Sequence, residues 1–375
     1  MVTSGSATLG YIHDQVGRAL DDFLRRQRPV LLGAGDDLLP VLEAVTSLLA
    51  AGKRLRPAFC YWGWRGSGGP DCPQILAAAA ALELLHASAL VHDDVMDGSD
   101  TRRGQASVHR QFADRHAARH WHGSAAAFGM GAAILVGDLL LAWTDQMLQD
   151  SGLAAEALRR GEPVLDLMRT EVMAGQYLDL LSQATGDATP ASALRVVEFK
   201  TAKYTIERPL QLGGALAGSA ALDGGSALDG GVPGSSGTAR AIARAYTAYG
   251  LPLGVAFQLR DDILGVFGDP AHTGKPAGDD VREGKRTVLL ALTRARADAR
   301  QAAIIDQLLG DPKLDEAGVA EIRAVITGTG ALAECELTIE RHVAQALSAL
   351  DAAPVTDEAK AALAELAVAA TTRRG

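Results

Sequence analysis

Residues 90–105 read LVHDDVMDGSDTRRGQ, and they follow the apolar run AAAAALELLHASA at 77–89. A helix this apolar that ends in Asp93, Asp94 and Asp97 buries acid at high free-energy cost unless something positive meets it. On a helix, at about 100° per residue, Asp93 and Asp97 share a face, with Leu82, His86 and Ala89 on the same stripe. Asp94 points about 100° away. The stripe therefore runs from apolar through small to acidic, a lined wall with charge at its mouth. Two carboxylates one turn apart are hard oxygen ligands suited to magnesium; in the blander reading they are a solvated helix end. Arg102 and Arg103 follow within reach of the same mouth, and guanidinium forks suit phosphate.

The rest of the chain fits a helical protein. Of 375 residues, 48% are hydrophobic and only 5% aromatic, with alanine and leucine dominant, so helix is favoured over strand. Val/Ile/Thr-rich alternating runs are missing, and the class expected is all-α. A net charge of −9 argues against nucleic acid as a partner. Cys60, Cys72 and Cys335 form neither a disulfide framework nor a zinc pattern. The N-terminal stretch has no basic segment leading into an apolar one. The alanine run is too broken by charge and histidine for a membrane span. A soluble cytoplasmic protein without stable membrane insertion is expected.

Periodicity predicts helices over 8–27, 36–51, 53–64, 73–97, 106–120, 124–150, 153–186, 190–203, 205–219, 237–265, 284–309, 313–327, 329–350 and 356–371. The segment DGGSALDGGVPGSSG at 223–237 reads as a flexible surface insertion, starting at about 222. Similar helical pattern continues on both sides, so 1–375 is expected to be one domain.

A second acid pair, Asp261 and Asp262 in AFQLRDDILGVFGD (256–269), again ends an apolar helix. Two such pairs suggest two walls facing across one cavity. Magnesium prefers one or two carboxylates plus phosphate oxygens, so the pattern points to a diphosphate held through metals. Basic residues accompany it: Lys53, Arg54 and Arg56 in GKRLRP (52–57), Lys200 and Lys203 in FKTAK (199–203), and Lys275, Lys285 and Arg286 in TGKPAGDDVREGKRT (273–287). Each alone is more often a solvated charge.

Taken in order, GKRLRP, HASALVHDDVMD, RRG, GDLLLA (137–142), GQYLDL (175–180), KT (200–201) and FQLRDD (257–262) resemble the trans-isoprenyl diphosphate synthases. The likeness runs from about Gly52 to Arg286 and is nearest to bacterial short-chain geranylgeranyl or farnesyl diphosphate synthases. It implies a bundle of long helices around a deep central cavity, a homodimer, and three magnesium ions, with manganese as a substitute. Asp93, Asp97 and Asp261 would be direct ligands, with Asp94, Asp262 and Asp280 in support. Arg102, Lys200 and Lys275 would hold an allylic diphosphate, and Lys285 belongs with the substrate-binding residues. Lys53, Arg56, His86 and Arg103 would bind isopentenyl diphosphate. Thr201 and Gln258 match positions near the reacting carbons, and Gln176 and Asp179 match further active-site positions. One departure stands out: Gly265 replaces the usual third aspartate of the second motif. Metal binding is expected to persist on Asp261, with a weakened third magnesium; Asp269 is the nearest substitute.

Cleavage of an allylic diphosphate makes an allyl cation, and apolar walls keep water from quenching it. Chain length should follow depth. Ser88 and Ala89, one turn before Asp93, are small, and Leu85 and Leu82 come next, the latter about 16 Å below Asp93. A twenty-carbon product is expected, with fifteen and twenty-five carbons as neighbours. A class I terpene cyclase would carry a later metal-binding triad that the sequence lacks. Gly265 alone supports an inactive regulatory subunit. A di-iron bundle would need Glu-x-x-His pairs, which are not found.

Overall fold

The chain is all-α in a computed structural model that describes residues 4–186, 189–218, 237–268, 278–311 and 313–372. Lys275, Asp269 and the insertion up to Ser236 lie outside the described residues. There are two compact units. One comprises the chain up to Tyr61 and Pro70–Leu158; the other comprises Trp62–Gly69 and Arg159 onward.

The first unit contains helices α1 (Ser4–Leu32), α2 (Leu39–Ala50), most of α3 (Leu55–Gly66), α4 (Pro73–Asp97), α5 (Val108–Ala118) and α6 (Ala125–Gln149). Helix α4 has the limits its sequence predicts. Pro73 opens it, where a missing N–H is harmless. Gly98, at φ 66°, closes it in the left-handed conformation with its N–H on Asp94 O. Leu82, Leu84 and Leu85 are at most 2% exposed, each burial stabilising by about 1.5–3 kcal/mol. Where α4 meets α6, Gly137 makes room for the His92 ring: a Cβ there would stand 2.2 Å from Nε2. His92 Nε2 lies 3.2 Å from Ile134 O and 3.4 Å from Asp138 Oδ1, which gives the Gly-Asp of GDLLLA a packing role.

One short ribbon departs from the purely helical expectation. Strands β1 (Thr101–Arg102) and β2 (Gln105–Ala106) pair antiparallel. Arg103 and Gly104 between them have φ 54° and 76°, the signs a type I′ hairpin turn requires. Among the described helices, α4 and α6 are long and apolar enough to cross a membrane. The most apolar window of α4 is 72% buried in protein, and that of α6 only 28%.

In the second unit, α7 (Ala155–Thr185) and α10 (Gly237–Phe267) are the long elements. The helices predicted at 190–203 and 205–219 are one continuous run: α8 (Pro190–Val196), a π-helical segment (Val197–Glu207) and α9 (Arg208–Ala217). No breaker stands near 204, so the chain widens its hydrogen-bond spacing instead of stopping. The π segment lies close against α10, where a Cβ on Gly254 would come within 2.4 Å of Ala202 Cα. The helix predicted at 284–309 is divided into Val288–Arg296 and Ala299–Leu308. Asp298 starts the second piece by accepting from the N–H of Arg300 and Gln301, while Gln301 returns a bond to Asp298 N.

Candidate active site

Polar side chains gather in each unit. In the first, Asp93, Asp94 and Asp97 occupy the last turn of α4, which holds no basic residue. The helix dipole disfavours negative charge there, so these acids are not placed for the helix's own stability. Asp93 and Asp97 are half-buried, while Asp94 is 2% exposed. Arg102 explains the difference. Its Nε and Nη2 donate to Asp94 Oδ1 at 2.8 and 2.5 Å, and Nη2 reaches Asp93 Oδ2 at 3.5 Å. Burial raises the Asp94 carboxyl above its ordinary range, and the Arg102 hydrogen bond opposes the rise. Asp94 is thus a buried anchor, with Asp93 and Asp97 left reachable on the neighbouring face.

Arg103 differs from its expected place beside Arg102. The tight turn sends the two arginines to different partners. Arg103 Nη1 donates to Leu48 O at 2.7 Å and to Ala51 O, at the carbonyl end of α2, a favourable site for a cation. Gly52 lies against its guanidinium, with Nη2 3.1 Å from where a Cβ would be. His86, one helical stripe below Asp93, is kept neutral: burial lowers its pKa well below the ordinary value, and Arg56, Arg103, Arg102 and Arg54 reinforce the effect. Three of the residues expected at the isopentenyl site, His86, Arg56 and Arg103, thus share one positive field. Lys53 is exposed and Arg56 half-buried.

Along α4, His86, Ala89, Leu90, Asp93 and Asp97 keep partial exposure, whereas Leu82, Leu85 and Ser88 are 1–3% exposed. Ala89 therefore lies on the accessible stripe, and Leu82, expected there, is fully packed.

In the second unit, Thr201 Oγ1 donates to Gln258 Oε1 and Gln258 Nε2 donates to Asp262 Oδ1, both at 2.7 Å. Lys200 Nζ is 2.6 Å from Asp179 Oδ2. Gly175 permits this approach, since a Cβ there would meet Lys200 N at 2.4 Å. Gln176 is half-buried. Asp261 is half-buried and Asp262 3% exposed. Burial pushes the Asp262 carboxyl up to about 7; the Gln258 hydrogen bond opposes this, and Asp280 and Asp261 add to it. Lys285 Nζ stands 2.8 Å from Glu283 Oε2 and 3.4 Å from Asp280 Oδ1. Among the described residues, no three metal-type side chains converge into a closed cage, and magnesium held partly by phosphate oxygens needs none.

Two structural pairs escaped the sequence reading. Arg54 and Glu83 form a buried ion pair at 2.6 Å, signalled only by a non-glycine residue at φ 52°. Glu171 receives Lys203 Nζ at 3.0 Å and Arg208 Nε and Nη2 at 2.6 and 2.8 Å, which fastens the π segment carrying Lys200 and Thr201 to α7.

The polyprenyl synthetase family model matches residues 40–326. A geranylfarnesyl diphosphate synthase of Aeropyrum pernix is 33% identical over 312 residues, covering 82% of this chain and 86% of that protein. A geranylgeranyl diphosphate synthase of Mycobacterium tuberculosis is 31% identical, covering 80% and 79%. Among solved structures, a geranylgeranyl pyrophosphate synthase from Corynebacterium glutamicum, complexed with isoprenyl diphosphate and magnesium, superposes with a TM-score of 0.88. It is 40% identical, covering 97% of this chain and 99% of that one.

Proposed function

The chain belongs to the polyprenyl synthetase family and is a head-to-tail prenyltransferase of the all-α isoprenoid synthase fold, and we propose that it condenses isopentenyl diphosphate with allylic diphosphates to give geranylgeranyl diphosphate. Lys53, Arg56, His86 and Arg103 hold the isopentenyl diphosphate. Arg102, Lys200 and Lys275 hold the allylic diphosphate, and Lys285 adds to the substrate-binding set. Asp93, Asp97 and Asp261 take magnesium, three ions in all, with Asp94, Asp262 and Asp280 in support.

The observation that carries this reading is the last turn of α4. Asp93 and Asp97 stay reachable against the helix dipole while Asp94 is spent on holding Arg102. That donor set fits a hard divalent cation shared with phosphate oxygens. Bound magnesium neutralises the charge that builds on a leaving diphosphate. The protein's part is to orient both substrates and exclude water. The allylic carbon–oxygen bond breaks first, the isopentenyl double bond attacks the resulting allyl cation to form the new carbon–carbon bond, and the departing diphosphate takes up the proton that is lost. Neutral His86 offers isopentenyl diphosphate a hydrogen bond. Thr201 and Gln258, tied to each other, present a fixed polar pair near the reacting carbons.

A twenty-carbon product is supported by small Ala89 on the accessible stripe one turn before Asp93, and by relatives that include geranylgeranyl diphosphate synthases; fifteen- and twenty-five-carbon products are the alternatives. A homodimer is supported by α6, whose Phe128, Ile134 and Leu135 are 40, 46 and 69% exposed, an apolar face suited to a second copy. We place the protein in the cytoplasm.

The test is turnover of isopentenyl diphosphate with a fifteen-carbon allylic partner, with and without a chelator. Magnesium-dependent condensation abolished by Asp93→Asn is expected; condensation indifferent to both treatments would end the reading.

A further inference from the structure

The π segment Val197–Glu207 carries Lys200 and Thr201, and glycine lines its seams with both α7 and α10. A Cβ on Gly175 of α7 would stand 2.4 Å from Lys200 N. On α10, Gly250 and Gly254 lie one turn apart, and their Cβ atoms would stand 2.9 Å from Glu207 Cα and 2.4 Å from Ala202 Cα. Helices ordinarily hold their axial register by fitting side-chain ridges into grooves. A glycine seam has no ridge, so it brings backbones close without fixing how far one slides along the other. Register here falls to polar bonds.

Glu171 of α7 supplies them at the end of the segment. It is 8% exposed and receives Lys203 from the segment itself and both Nε and Nη2 of Arg208, the residue that follows it. Burial pushes the Glu171 carboxyl up, but Arg208 and Lys203 outweigh this and hold it below its ordinary value, so the clamp is ionised. Arg208, also 8% exposed, reaches on to Gln211 Oε1, and Gln211 Nε2 donates to Thr247 Oγ1 of α10 at 2.9 Å. One chain of bonds thus joins α7, the end of the π segment and α10. Glu171, Gly175 and Asp179 follow at intervals of four on one stripe of α7. A shift at Glu171 is therefore felt along the same seam by Lys200, whose Nζ meets Asp179 at 2.6 Å, and by Thr201, which is bonded to Gln258.

We propose that Glu171 is a positioning residue for the transfer reaction: its clamp on Lys203 and Arg208 sets the register of the π segment, and so places Lys200 on the allylic diphosphate and Thr201 beside the reacting carbons. The inference rests on the prenyltransferase reading above and adds to it a residue that acts through others. Loss of the clamp should be felt by the allylic substrate and not by isopentenyl diphosphate, because Lys53, Arg56, His86 and Arg103 belong to the other unit.

The test is steady-state kinetics of the full chain with isopentenyl diphosphate and the fifteen-carbon allylic diphosphate. Glu171→Gln, which keeps the shape and removes the charge, should raise the allylic KM about tenfold and leave the isopentenyl KM within about twofold of the parent. In a Lys200→Ala background the same substitution should raise the allylic KM by no more than about twofold further, because effects that pass through one residue do not add. Lys203→Gln removes one arm of the clamp at a half-buried side chain. It should show the same selectivity, and it decides the matter if Glu171→Gln does not fold. Both KM values at parent strength in a folded variant, an equal rise in the two, or a full tenfold rise on top of Lys200→Ala overturns the inference. A parent protein that forms no carbon–carbon bond fails differently: it removes the prenyltransferase reading itself, and this inference with it.

Discussion

Arg54 Nη1 stands 2.6 Å from Glu83 Oε2, and both side chains are 4% exposed. The pair, with Arg54 Nη2 also on Leu49 O, fixes the backbone between Lys53 and Arg56. Removing one partner strands the other charge, and such losses run to about 3–5 kcal/mol. Glu83→Ala should therefore lower unfolding free energy by that order in a urea titration. Arg54→Met/Glu83→Leu should recover much of it. A single substitution that costs less than about 1 kcal/mol would show that the pair behaves like a surface bridge.

Asp93→Asn and Asp97→Asn should lower activity with little effect on stability. Removing negative charge from the last turn of α4 relieves its dipole by about 0.3–1 kcal/mol, which offsets the loss of contacts such as Arg102 Nη2 to Asp93 Oδ2 at 3.5 Å, so the metal-free protein should melt close to the parent. Turnover should fall by about 10²-fold or more, as when a principal transition-state stabiliser is lost. A melting temperature that drops sharply would make these acids structural.

Ala89 and Ser88 should respond differently to bulk. Ala89 lies on the partly exposed stripe, so Ala89→Phe should shorten the product with little loss of stability. Ser88 is 3% exposed, so Ser88→Phe overpacks the interior at about 1–3 kcal/mol. Mass spectrometry of products, run beside a melting curve, separates the two. Equal shortening by both would mean that the growing chain contacts both faces of α4.

His86 sets a pH dependence. Its folded pKa lies well below the ordinary value because of burial and four nearby arginines. Between those two pKa values the unfolded chain binds a proton that the folded protein does not, so stability falls as pH drops below the ordinary histidine range. The melting temperature should decline from pH 7 to pH 5.5 more steeply in the parent than in His86→Gln. Parallel curves would mean that His86 titrates in the fold as it does in the open chain.

The parts of the fold legible in the sequence were those with local signals. Pro73 and Gly98 bracket α4, and the acid spacing on it follows from helical geometry alone. The capping pair Asp298 and Gln301 is equally local, yet the helical periodicity across 284–309 runs straight through it. The π segment leaves no compositional mark, since its spacing is set by packing of Ala202 against Gly254. Arg54 with Glu83, and Glu171 with Arg208, are partners 29 and 37 residues apart, and nothing in either neighbourhood names the other. Gly265 reads in the sequence as a missing acid, whereas the carboxylate that fills its place belongs to Asp280, fifteen residues further along.

The most direct test of the central claim is a sizing of products. The purified protein is given magnesium, isopentenyl diphosphate and, separately, five-, ten- and fifteen-carbon allylic diphosphates, and the products are weighed by mass spectrometry. The expected result is a dominant linear twenty-carbon diphosphate from each starter. A cyclised hydrocarbon, or no carbon–carbon bond formation at any magnesium concentration, would contradict head-to-tail condensation.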